Sequence, residues 1–115
     1  MLGNAVECET RKEYDLLAAA SALMATYFGI MHRTTGWLAE NGLPADKGRA
    51  YLAPLFASLS ETALLAGKDG DLIDLSREFA TKGGLNEQVF QDFDGNGGTE
   101  SLRQALRRVL KRIEQ

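Results

Sequence analysis

From Arg11 onward, apolar positions recur every three or four residues. Tyr14, Leu17, Ala18, Ser21, Ala25 and Phe28 form one series, and Leu16, Ala20, Leu23, Tyr27, Ile30 and Met31 form a second. This period is that of an α-helix, and two series on one helix predict burial on more than one side. A 115-residue chain has little core with which to surround such a helix, so the pattern predicts a second chain. The small residues Ala18, Ala19, Ala20, Ser21 and Ala22 would admit another helix closely. The helical pattern runs on through Trp37 and Leu38, and Asn41-Gly42 supplies its stop.

Leu43-Pro44-Ala45-Asp46 opens a second long helix, predicted to reach Ala66 and end at Gly67, with Pro54 expected to kink it. Asp71 to Ala80 predicts a short helix with Leu72, Leu75 and Phe79 inward. Leu85 to Phe93 predicts another, with Val89, Phe90 and Phe93 inward. Gly95-Asn96-Gly97-Gly98 breaks the pattern, and Thr99 is the expected cap of a final helix. That helix carries the apolar stripe Leu102, Ala105, Leu106, Val109, Leu110 and Ile113, with Arg103, Arg107, Arg108, Lys111 and Arg112 largely opposite. Only the first ten residues depart from helical spacing; Leu2, Ala5, Val6 and Cys8 predict a short extended piece. The expected class is all-α, a bundle of about five to six helices over residues 11–115, preceded by an extended remnant or linker at 1–10.

Composition narrows the function classes. One domain of 115 residues, 44% hydrophobic and 25% charged, is an ordinary globule that should bury about two-thirds of its unfolded surface. A net charge of −3 leaves no general nucleic-acid footprint. The single cysteine, Cys8, forbids an internal disulfide and fits a reducing, cytoplasmic compartment. With one histidine, His32, no His/Cys zinc cluster forms within one chain, and His32 is expected on a helix surface or interface. The uncharged run from Leu16 to Met31 is 16 residues, short of the ~20 needed to span a bilayer, so a buried helix and no membrane crossing are expected.

Thr81-Lys82-Gly83-Gly84-Leu85-Asn86 carries the most chemistry. Paired glycines free the backbone just before a helix start, where main-chain N–H groups lack intrahelical partners. Such a start can receive a carboxylate or phosphate, although a plain helix connector has the same composition. Asp92-Phe93-Asp94-Gly95-Asn96-Gly97 imitates the opening of a calcium loop. The twelfth position is Arg103, though, where a bidentate carboxylate is required, so a solvated polar turn is expected and no metal. The basic face of the last helix is expected to be solvated. Tyr27, Phe28 and Trp37 could line a ligand pocket, with core or subunit packing as the default.

Taken in order, these segments resemble the C-terminal domain of pyrroline-5-carboxylate reductase and its relatives, from about Glu9 to the end. The segment Ala18 to Tyr27 stands at the family's first helical motif, Gly42-Leu43-Pro44 at its Gly-Leu-Pro, and Thr81-Lys82-Gly83-Gly84-Leu85-Asn86 at its Ser/Thr-Pro-Gly-Gly-Thr-Thr. Leu2-Gly3 resembles the end of the nucleotide-binding domain that precedes this one in the family. The resemblance implies an intertwined homodimer of the 6-phosphogluconate dehydrogenase C-terminal-like kind. It also implies a job: an N-terminal Rossmann domain binds NAD or NADP, and the helical domain completes the cleft where an imine is reduced. Thr81, Gly83, Gly84 and Asn86 are then the expected substrate-binding residues, with no cofactor site in this chain. The departures are concrete. The Gly-Ser-Gly-Pro part of the first motif is lost. Leu85 and Asn86 replace the two threonines, so the family's hydroxyl donors are missing there. No catalytic acid stands out. The rival expectation is a stand-alone helical dimer with a structural or interaction role.

Overall fold

The computed structural model describes residues 6–66 and 70–115. The described residues are all-helical, with six segments: α1 (Arg11–Ser21), α2 (Met24–Glu40), α3 (Ala45–Ala66), α4 (Leu72–Phe79), α5 (Leu85–Gly95) and α6 (Gly98–Glu114). The expected extended positions Leu2 and Ala5, and the expected stop at Gly67, lie outside the described residues. Val6 to Cys8 form no regular element.

Local chemistry accounts for the boundaries. Thr10 caps α1, its hydroxyl accepting from the Glu13 N–H at 3.1 Å, while the Glu13 carboxylate accepts from the Glu9 N–H at 3.3 Å. This reciprocal pair satisfies donors that a helix start otherwise leaves bare. Asp71 does the same for α4 through the Ile73 N–H at 3.0 Å. Two bonds of 3₁₀ type, from Ala22 N–H to Ala19 C=O and from Leu23 N–H to Ala20 C=O, join α1 to α2 almost without a break. Helix α3 passes Pro54 unbroken. The final helix starts earlier than expected: Gly97, in the left-handed region at φ 90°, is its N-cap, and Thr99 falls inside the first turn.

The joined α1–α2 helix, Arg11–Glu40, is the spine, and each half has a different companion. α6 runs antiparallel to α1; Lys12 and Glu114 pair at 2.6 Å at one end, and Leu106 and Leu110 lie beside Leu16, Ala19 and Ala20. α3 folds back on α2 past the Asn41–Pro44 turn. Tyr27 meets Phe56 at 5.9 Å, and Gly48 is buried against Thr35 and Leu38. α5 packs on α6, and α4 on α5. One side of the spine is therefore clothed at each end, by different helices, and much of the rest is bare.

That arrangement leaves almost no core. Ala19 is the one buried apolar residue among those described; Asp15, paired with Arg11 at 3.0 Å, and Thr35 are also buried. Tyr27, Phe28, Trp37, Leu55, Leu59, Leu85, Val89, Phe90 and Phe93 are all exposed. The chain exposes 9750 Å², whereas a compact protein of 12.5 kDa exposes about 6,200 Å². Its radius of gyration is 16.5 Å, against about 13 Å for a compact chain of this length. By length and composition alone, the spine is also long and apolar enough to cross a bilayer, which its 16-residue uncharged run did not predict.

Candidate functional site

The glycine turn is built by its own backbone. The Gly84 N–H donates to the Thr81 C=O at 2.7 Å, closing a four-residue turn. Gly83, third in that turn, has φ 76°, a conformation that side chains disfavour. Gly84 has an extended backbone and is the N-cap of α5, with no side chain capping the helix from that position. A Cβ on Gly84 would lie 2.9 Å from the Thr81 carbonyl oxygen. Each glycine is thus required by the turn itself. A branched residue at Gly84 would break the turn as well as crowd any ligand.

The helix start is not empty of anions. Glu87, in the first turn of α5, sends its carboxylate back to accept from the Gly83 N–H at 2.9 Å. Its charge also suits the positive end of the helix dipole. Thr81, Lys82, Gly83 and Asn86 are exposed around it, and Gly84 is half-buried. Of the four expected substrate residues, which are sequence neighbours, Thr81, Gly83 and Gly84 form the turn and Asn86 lies in the first turn of α5. The structure adds Glu87, which sequence reasoning missed. The signal was present: Glu87 lies three residues after the N-cap, the spacing of a capping box. An incoming carboxylate would meet the remaining first-turn N–H groups and Lys82, but it would have to share or displace Glu87.

The other candidates fall into place. Asp92 and Asp94 belong to α5, which stays helical through Gly95, so the polar turn expected at Asp92–Gly97 is confined to Asn96 and Gly97. Among the described residues, no group of three His, Cys, Asp or Glu side chains could hold a metal ion. His32 is exposed on α2 and lines an open groove of about 630 Å³ with Tyr27, Phe28, Asp46 and Arg49. Tyr27 and Phe28 meet edge to face at 5.3 Å in its wall, and Trp37 is not part of it. On α6, Arg103 and Arg107 flank a smaller groove of about 300 Å³ against α1. Comparison with protein-family models, with curated proteins and with solved structures finds no match for this chain.

Proposed function

We propose that this chain is the dimerisation and substrate-side domain of a pyrroline-5-carboxylate-reductase-like oxidoreductase. Residues encoded ahead of it would form the Rossmann domain that binds NAD(P)H, and the reaction would be reduction of an imine-type substrate. The supporting observation is the spine, clothed at its two ends by different helices and bare elsewhere, which a second copy would cover. The resemblance in segment order assigns the chemistry. The Thr81–Asn86 segment would receive a substrate carboxylate through main-chain N–H groups at the start of α5.

The test has two parts. Sedimentation at micromolar concentration should give a dimer. The coding sequence ahead of Met1 should encode a strand followed by Gly-x-Gly-x-x-Gly roughly 150 residues upstream. The protein so encoded should then oxidise NADH or NADPH when given a cyclic imine carboxylate. A stable monomer, or no turnover with either cofactor, refutes the assignment. A second reading, a structural dimer with no catalytic parent, is favoured by the Glu87 carboxylate standing where a substrate anion would bind. An upstream sequence without a nucleotide-binding motif would select it.

A further inference from the structure

Resting on the dimer reading above, we infer that folding and pairing of this chain are one event: a single copy has no stable folded state, and the second copy supplies the missing core. The surface balance carries this. An unfolded chain of 12.5 kDa exposes about 18,000 Å², so one folded copy hides only about 46% of it, where about two-thirds is usual for this size. The shortfall, about 3,500 Å² per copy or about 7,000 Å² per pair, lies beyond the usual total of about 2,000–5,000 Å² for obligate dimers and belongs with the largest of them. It far exceeds the ~800 Å² per partner that lets two pre-folded proteins associate. No described side chain is fully buried, so little inside one copy offsets the entropy of ordering six helices.

The occupant is a second copy and not a bilayer. The bare apolar residues are not confined to the spine. They continue on α3 (Tyr51, Leu55, Leu59), on α4 (Leu72, Phe79) and on α5 (Leu85, Val89). A lipid slab around one helix would leave those in water. Another helical copy, with its own bare spine, covers both sets and is covered in return, as a two-fold interface requires.

The experiment dilutes the whole chain from 50 µM to 50 nM, following mass by sedimentation, helicity by circular dichroism down to about 1 µM, and the fluorescence of Trp37 throughout. Trp37 is the chain's one tryptophan and is 60% exposed in a single copy. We expect helicity and dimer mass to fall together. The urea midpoint should drop by roughly half a molar for each tenfold dilution. A tandem of two copies joined by 40 Gly/Ser residues, with a relaxed span of about 35 Å, should lose that concentration dependence. A dimer that dissociates into an equally helical monomer overturns coupled folding and leaves the dimer reading standing. A helical monomer at every concentration overturns both. Helix formation only with phosphatidylcholine vesicles replaces the second copy with lipid and also overturns the inference.

Discussion

Replacing Gly98 with alanine isolates the corner that sets α5 against α6, and with it the direction in which the Gly83–Gly84 turn is presented. A Cβ at Gly98 would lie 2.5 Å and 2.6 Å from two atoms of the Phe93 ring, and 2.6 Å from the Phe93 carbonyl oxygen. The ring is 48% exposed and can swing aside; the carbonyl is fixed in the last turn of α5 and cannot. Overpacking of this kind costs about 1–3 kcal/mol, and the loss falls near the upper end because backbone must move. Two neighbours serve as controls. Gly97, at φ 90°, has open space for a Cβ but the wrong backbone, so alanine there should cost about 1–2 kcal/mol. Gly95 is helical with open space around it, so alanine should be neutral or stabilising by up to about 1 kcal/mol. Urea unfolding followed by circular dichroism, with all four proteins at one fixed concentration, should rank stability as Gly95→Ala, wild type, Gly97→Ala, Gly98→Ala. With a slope of about 2 kcal/mol per molar, Gly98→Ala should shift the midpoint down by about 1 M. Equal effects at Gly95 and Gly98, or a neutral Gly98→Ala, would refute the packing argument.

Other substitutions test the remaining local claims. Thr10→Ala removes the hydroxyl that accepts from the Glu13 N–H and should cost about 1 kcal/mol in the same urea assay. Pro54 is exposed within α3, where it can donate no helix hydrogen bond; Pro54→Ala should raise stability by about 1–3 kcal/mol, seen as a higher thermal midpoint. Glu87→Ala frees the Gly83 N–H and should cost about 0.5–1.5 kcal/mol of stability. In the protein carrying the upstream domain, the same change should lower KM for an anionic imine several-fold, and an unchanged KM would mean the turn receives no substrate carboxylate.

The helices were legible because their apolar residues keep a 3.6-residue period, and because glycine and proline punctuate the chain where the elements end. What escaped was local geometry. Thr99 has the chemistry of a cap, yet Gly97 takes that place. A positive φ there turns the chain sharply enough for α6 to begin at Gly98, pressed against Phe93. Asp92 and Asp94 have the spacing of ion ligands, yet α5 holds them on a helix, and the helix ends only at Gly95. The second long helix reaches Ala66 as expected, with Pro54 inside it. Two apolar series on one helix already exceed what a short chain can cover, and the structure leaves much of that helix bare. The extent of the bare surface became visible only once α6 was seen on one half of the spine and α3 on the other.

The candidate site shows a different boundary between pattern and chemistry. A pair of glycines before a helix suggested room for a ligand, because glycine permits close approach. In the structure the turn uses both glycines, one for its positive φ and one for the space beside the Thr81 carbonyl. Their presence is thus explained before any ligand is invoked. If the turn receives a substrate, as proposed, selectivity would come from what surrounds it: Lys82 as a cation, Asn86 as an amide donor, and the strength with which Glu87 holds the Gly83 N–H. Lys82 and Glu87 oppose each other toward an incoming carboxylate, the first attracting it and the second competing for the same donors. A cationic group would feel the opposite balance. On the proposed reading, the charge of the ligand would depend on whether Glu87 stays folded back on Gly83, and Glu87→Ala is the substitution that reads out that choice.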